Sequence, residues 1–248
     1  MSKINAKFAY LKDKFEDVEN YFNKSDATVH KARNELKCAN IEGIDVVIKS
    51  FKVPHFFNRI IYTYFRKSKA YKSFHNAVKL RQVGVNTPEP IAFLEFKKPT
   101  LLEKSYFISR EFKYDFTIRE ALLHQIDDYK EVLREFAKFT YYIHEQNIWH
   151  KDYSPGNILI KRHEDGGYEF SLVDINRMEF VKIAQYDGLE NFNKLWADED
   201  DMRIMAKEYA LLANLDEKKA IEIAIKHDRA NKRVKNFKKW LKVKLKNH

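Results

Sequence analysis

The segment Ile148-Trp-His-Lys-Asp-Tyr-Ser-Pro-Gly-Asn-Ile-Leu-Ile160 sets His150 and Asp152 one residue apart, follows them after four residues with Asn157, and then turns apolar. A second carboxylate, Asp174, stands in Leu172-Val-Asp-Ile-Asn-Arg177 at the end of another apolar run. A carboxylate can orient or accept the proton of an attacking hydroxyl. A carboxylate and an amide oxygen together suit a hard divalent cation. Lys49, in Val46-Val-Ile-Lys49, puts a cation on a β-branched run, where it could match negative charge developing on phosphate groups. Taken singly, each has an ordinary reading as a surface loop, a turn aspartate or a solvated lysine. Their order along the chain is the informative feature.

Local patterns predict the elements that would position these residues. Phe8, Leu11, Phe15, Val18 and Phe22 recur at helical spacing, up to the Asn-Lys-Ser-Asp run at 23–26. Between residues 27 and 52 β-branched residues cluster around Ile41-Glu-Gly-Ile44, which reads as a turn between two strands, the second being residues 45–51. Residues 56–83 look helical, and Gly84 and Pro88 end that pattern. Short strands are expected at 91–96 and 104–112, then helices at 117–124 and 128–146, the latter with Val132, Phe136, Phe139 and Ile143 on one stripe. Residues 158–161 and 168–173 form a second hairpin around Asp165-Gly-Gly167, and most of the remainder is helical. Strands come first and helices second, without internal repeats, so the expected class is α+β.

The succession of strand lysine, extended segment, long helix, His-x-Asp loop, hairpin and aspartate resembles the catalytic apparatus of kinases. The resemblance implies a bilobal protein-kinase-like fold, with a strand-rich N-lobe at 1–112 covering ATP and a helical C-lobe at 113–248 carrying the catalytic loop. It implies that Asp152 is the catalytic base or orienter, that Asn157 and Asp174 bind Mg²⁺, and that Lys49 clamps the phosphates of ATP. Glu111 and Phe112, ending Tyr106-Phe-Ile-Ser-Arg-Glu-Phe112, fall where kinases form the hinge that meets adenine. His150 is expected to buttress the loop.

Across residues 27–212 the chain resembles the lipopolysaccharide kinase family, the Kdo and heptose kinases. The matching stretches are Arg33-Asn-Glu35, Val47-Ile-Lys-Ser-Phe51, Thr87-Pro-Glu-Pro-Ile91, the loop from His150 to Leu159, and Asp174-Ile-Asn-Arg177. This resemblance implies ATP, Mg²⁺ and a sugar hydroxyl on a lipid-linked anionic glycan of Kdo-lipid A type, met at the cytoplasmic membrane face. Lys52 and Arg177 are candidates for contact with substrate or phosphate, Arg177 equally for a structural ion pair. The absence of Ala-Pro-Glu after Asp174 argues against a peptide-docking segment. Two features depart from the kinase pattern. Gly43 is the only glycine before Lys49, so no Gly-x-Gly-x-x-Gly loop covers the phosphates. No acid occurs from Val46 through Pro88, so the helix that should pair a Glu with Lys49 has none, and His75 takes its place. Either Glu89 or Glu35 holds Lys49, or the chain is a pseudokinase binding nucleotide or an anionic partner. A kinase for a small soluble substrate or a protein is the other alternative.

The chain has 248 residues, enough for one large domain or two lobes, and a formal charge of +10, which favours anionic partners. Cys38 is its only cysteine, which excludes an intrachain disulfide and fits a reducing compartment, the cytoplasm. No signal-peptide core or membrane-spanning run is evident, so any membrane contact is expected to be peripheral. Nine Lys and Arg crowd the acid-free stretch, and ten lie between Lys226 and His248 with Asp228 as the one acid. In the latter, Val234, Phe237, Leu241 and Leu245 recur at helical spacing. That stripe is expected to pack on the second lobe, with an interfacial helix as the alternative reading. No nucleic-acid motif accompanies the charge, and no nucleic-acid partner is expected.

Overall fold

The computed structural model describes residues 2–24, 28–31, 34–51, 61–63 and 65–246. It divides into two compact units, one of Met1–Lys113 with Asp174–Asn176, the other of Tyr114–Val173 with Arg177–His248.

The first unit is built on a six-stranded antiparallel sheet in the order β1-β5-β6-β4-β3-β2. Its strands are β1 (Ser2–Ile4), β2 (Thr28–Lys31), β3 (Asn34–Ile41), β4 (Ile44–Phe51), β5 (Pro90–Lys98) and β6 (Leu101–Arg110). The β3–β4 hairpin closes at Ile41↔Ile44, with Glu42 and Gly43 both at positive φ (50° and 78°). Two successive left-handed residues are what a tight hairpin needs to follow the natural twist of its strands. Along β4, Ile44, Val46 and Ile48 are buried on one face, so Val47 and Lys49 belong to the other.

The N-terminal segment covers the first face. Phe8, Leu11, Phe15, Val18 and Phe22 are all buried against Ile41, Val46, Ile48, Ile91 and Ile108. Each large apolar side chain so buried stabilises the unit by about 1.5–3 kcal/mol. The backbone differs from the continuous helix expected there. It is a 3₁₀ run over Ala6–Asp17, broken at Phe8 (φ −115°, ψ 18°), that becomes α-helical only in α1 (Val18–Lys24). The apolar spacing accounts for the buried stripe, which the 3₁₀ backbone still presents to the sheet. The other face carries α2 (Lys69–Gln82), whose Tyr71 and Phe74 pack on Phe93 of β5 at centroid distances of 5.3 and 5.5 Å. The expected helix over 56–83 is interrupted at residues 65–68. Residues 52–60 and 64 lie outside the described residues, residues 61–63 are helical, and α2 starts afresh where the Ser68 hydroxyl accepts from the Tyr71 amide at 3.0 Å.

The second unit contains a three-stranded sheet, β10-β9-β7, and a two-stranded ribbon, β11-β8. The strands are β7 (Phe116–Thr117), β8 (Ile148–His150), β9 (Ile158–Arg162), β10 (Tyr168–Leu172) and β11 (Met178–Phe180). Its helices are α3 (Ile118–Leu122), opened by a Thr117/Glu120 capping box, α4 (Tyr129–Glu145), α5 (Glu199–Leu212) and α6 (Glu217–Lys246). Helix α4 buries Val132, Leu133, Phe136, Ala137, Thr140 and Ile143. The C-terminal stripe does not pack as expected. Helix α6 buries Ala220, Ala224, Ile225 and Asp228, but every described residue from Arg233 onward is exposed, Val234, Phe237, Leu241 and Leu245 among them.

His144 of α4 is the polar centre of this unit's core. Its Nδ1 accepts from the Tyr209 hydroxyl at 2.9 Å, and its Nε2 donates to Asn191 Oδ1 at 3.0 Å. Burial pushes its pKa down to about 4, so the folded protein keeps the ring neutral. Gly188 closes over the same pair, since a Cβ there would lie 2.8 Å from His144 Nδ1 and overlap the Tyr209 hydroxyl. Gly188→Ala is therefore expected to destabilise the protein by about 1–3 kcal/mol, read from the urea unfolding midpoint. Stability from His144 is full above about pH 6.5 and drains as pH falls toward about 4, because the unfolded chain then takes up a proton that the folded one refuses. The expected loss over that window is on the order of 3 kcal/mol. His75, also lowered by burial, adds to it, and Asp201, raised by burial, opposes it. Unfolding curves at pH 7 and pH 5 should show the loss, and His144→Gln should flatten it.

Candidate active site

The loop that follows β8 is held by main-chain bonds and one buried ring. His150 is fully buried. Its Nδ1 accepts from the Asp152 amide at 3.1 Å, which leaves Nε2 protonated to donate to the Val173 carbonyl at 3.1 Å. A neutral histidine thus ties the loop to the strand leading to Asp174, and its own carbonyl accepts from Asn191 Nδ2 at 3.0 Å. Tyr153, next to Asp152, is fully buried and stacks on Phe136, its hydroxyl 2.9 Å from Thr140 Oγ. Burial raises the Tyr153 pKa far above its usual value, so this anchor stays neutral.

Asn157 closes the loop. Its Nδ2 donates to the Asp152 carbonyl at 2.8 Å, and its own carbonyl accepts from the Val173 amide at 3.0 Å. With Nδ2 so engaged, the amide is oriented and Oδ1 is the atom it presents for coordination. Arg177 reaches Asp152, Nη1 to Oδ2 at 3.7 Å, with both side chains substantially exposed. All of these groups belong to the second unit.

Lys49 and Asp174 meet in the first. Lys49 Nζ donates to Asp174 Oδ1 at 2.7 Å, joining residues 125 apart in sequence. Asp174 adopts a left-handed conformation (φ 53°), tolerated by few side chains other than those of Asn and Asp. Asn176 Nδ2 donates to the same carboxylate oxygen at 2.6 Å. The ion pair corrects the expectation that Glu89 or Glu35 holds Lys49. Glu89 instead bonds Lys7 at 2.7 Å and lies 3.6 Å from Arg110. Glu35 sits opposite Ser50 in the ladder, and Ser50 alternates with Lys49, so Glu35 projects to the other face of the sheet.

His75 does not take the place of the missing Glu as a partner for Lys49. It packs among Tyr71, Phe74 and Phe93, and burial lowers its pKa. The next residue makes the connection. Asn76 Nδ2 donates to the Ile175 carbonyl at 2.7 Å, so α2 is tied to the Asp174 segment by an uncharged hydrogen bond. Sequence reasoning missed Asn76, although an acid-free helix with an amide beside the expected position was a usable signal.

Glu111 and Phe112 lie half-buried at the end of the first unit. The Glu111 amide donates to the Asp45 carbonyl at 2.9 Å, and its carboxylate accepts from Cys38 Sγ at 3.8 Å. Lys52 and Arg33 lie outside the described residues. Of the basic residues in the acid-free stretch, Arg66, Lys67, Lys72, Lys79 and Arg81 are exposed.

A sheet-and-helix unit bearing a lysine–aspartate pair and a mainly helical unit bearing a His-x-Asp loop closed by an asparagine are the parts of a protein-kinase-like phosphotransferase. The model of the lipopolysaccharide kinase (Kdo/WaaP) family matches residues 49–214, and the chain belongs to that family. It is thus an ATP-using phosphotransferase of the lipopolysaccharide kinases. A solved structure described as WaaP in complex with acyl carrier protein has a TM-score of 0.63 at 13% identity, covering 94% of this chain and 98% of that one, a likeness of fold. No curated protein matches the chain.

The Asn76 bond positions the segment that carries Asp174 and should be felt in turnover. Asn76→Ala is expected to lower kcat about ten-fold, equivalent to about 1.4 kcal/mol of lost positioning, with a smaller change in KM for ATP. Asn76→Asp, which sets a carboxylate against a carbonyl oxygen, should be worse. Steady-state kinetics of the three proteins would check the order.

Proposed function

We propose that the chain transfers the γ-phosphoryl group of ATP to a sugar hydroxyl, of Kdo or heptose, in the lipopolysaccharide inner core. The observation that supports this reading is the Lys49–Asp174 pair, a cation and a carboxylate suited to a phosphate site although α2 has no glutamate. Asp152 is the base or orienter. The acceptor oxygen forms a bond to the γ-phosphorus, the bond from that phosphorus to the bridging oxygen of ADP breaks, and the hydroxyl proton passes to Asp152. Its main chain is held on both sides by His150 and Asn157, which fixes where the side chain starts from.

Asn157 Oδ1 and the Asp174 carboxylate are hard oxygen donors that fit Mg²⁺. When bound, Mg²⁺ neutralises charge on the phosphates. Lys49 clamps the phosphates, and the main chain at Glu111 and Phe112 meets the adenine. Arg177 and Lys52 contact phosphate or the anionic acceptor. Residues 1–112 would then be the ATP-covering lobe and 113–248 the catalytic one. The acceptor, a lipid-linked anionic glycan of Kdo-lipid A type, would be met at the inner face of the cytoplasmic membrane by peripheral contact. No helix among the described residues is long and apolar enough to cross a membrane.

Incubation with labelled ATP, Mg²⁺ and a Kdo-bearing lipid A acceptor tests the assignment. Label should enter the glycolipid. Asp152→Ala should lose about 10²–10⁴-fold in turnover while still binding nucleotide, whereas Asp174→Ala should lose Mg²⁺-dependent nucleotide binding. An unlabelled glycolipid despite intact ATP binding would overturn the acceptor and favour a different substrate or a pseudokinase.

A further inference from the structure

Helix α6 has two halves with different surroundings. The first is anchored by buried Ala220, Ala224 and Ile225 and ends in polar clamps, with Asn231 Nδ2 on the Asn193 carbonyl and Lys232 Nζ on the Ala197 carbonyl, both at 2.6 Å. Beyond Lys232 the helix continues to Lys246 with no buried residue among those described. This free part extends about 20 Å at 1.5 Å per residue. A helix of that length has little intrinsic stability in water.

Its exposed surface is not an ordinary solvated face. Val234, Phe237, Leu241 and Leu245 follow one another at intervals of three and four, forming one stripe, and Trp240 borders it. Phe237 is 59% exposed, Trp240 54% and Leu245 76%. The Phe237 and Trp240 rings stack on each other at 5.9 Å rather than on the rest of the unit. Between residues 232 and 246 stand eight Lys and Arg and no acid. Lys235, Lys239 and Lys242 fall away from the stripe, and Lys238 lies at its edge beside Val234 and Leu245. Arg233 and Lys244 fall between Trp240 and Phe237, and Lys244 lies over the Trp240 ring at 5.0 Å, so its apolar stem covers the same surface.

We infer that the free half of α6 is a docking element for an anionic lipid surface, lying in the interfacial plane with Phe237, Trp240, Leu241 and Leu245 in the acyl boundary and the lysines among the headgroups. An aromatic and leucine face opposite a lysine face, too polar to span a bilayer, is the pattern of an interfacial helix. Tryptophan favours that boundary because one end of its ring is apolar and the other donates a hydrogen bond. Charge selects the occupant. A second copy would bring the same uncompensated positive charge against this one, whereas an anionic bilayer complements it and accommodates a convex single helix without a groove. The inference deepens the proposed reaction at a membrane-borne acceptor, but the binding does not depend on phosphoryl transfer.

Co-sedimentation of the full chain with vesicles of phosphatidylglycerol and phosphatidylcholine in about equal parts tests it. The chain should pellet with these vesicles, should not pellet with phosphatidylcholine alone, and should be released by high salt. A Phe237→Ser, Trp240→Ser, Leu241→Ser variant should bind at least ten-fold more weakly with an unchanged thermal midpoint, since these side chains support no packing. The same variant should phosphorylate a water-soluble Kdo acceptor normally and lose transfer only to acceptor embedded in vesicles. Equal vesicle binding by the variant and the parent would overturn the inference. So would failure of the parent to bind, a concentration-dependent dimer that the variant abolishes, or capture of a soluble acidic protein in preference to vesicles. Vesicle binding without transfer to any Kdo acceptor would leave the docking element standing and remove the proposed reaction instead.

Discussion

The contact between Lys49 and Asp174 joins segments 125 residues apart and completes the first unit. Lys49 is set by strand alternation: with Ile44, Val46 and Ile48 committed to the buried face, the lysine must leave on the side covered by α2. Asp174 reaches it only because its backbone turns left-handed, a conformation that costs most side chains about 1 kcal/mol or more. The lysine side chain is 12% exposed and the carboxylate 29%. Removing either partner leaves the other charge partly desolvated and uncompensated, which costs more than the pair itself contributes.

Around this pair the stabilising roles are divided between charge and neutral hydrogen bonds. In the second unit the main chain of Asp152 is held by His150 on one side and Asn157 on the other, and the neighbouring Tyr153 is driven into the core. Charged contacts add to this at the surface, from Lys151 to Glu179 and from Arg177 to Asp152. The buried rings His144, His150 and Tyr153 are all kept neutral by their surroundings or their tautomer, so the core avoids the penalty of an isolated interior charge.

Much of this was legible in the sequence because it rests on local rules. The Ile41–Ile44 turn, the alternation along 44–51, the α4 stripe and the 158–172 hairpin follow from side-chain period and turn chemistry, and each lies within a residue or two of its expected place. What was not legible depends on contacts between distant segments. Strand β1 is three residues long and exists by pairing with Leu94, Phe93 and Ala92. The Lys49 partner depends on the backbone turn at Asp174, and the Asn76 link depends on the carbonyl of Ile175. The C-terminal stripe shows the limit of periodicity: spacing reveals an apolar face but not what covers it.

The tie between α2 and the Asp174 segment has a consequence for control. In protein kinases the corresponding helix is held by an ion pair, and moving that helix away is a way to switch the enzyme off. Here the tie is an amide on a carbonyl. Such a bond does not titrate and responds little to ionic strength, so neither acidification nor a competing charge can release it. No carboxylate of α2 takes part in the tie, since the helix has none. The hold of α2 on the Asp174 segment is thus one that neither protonation nor salt weakens directly.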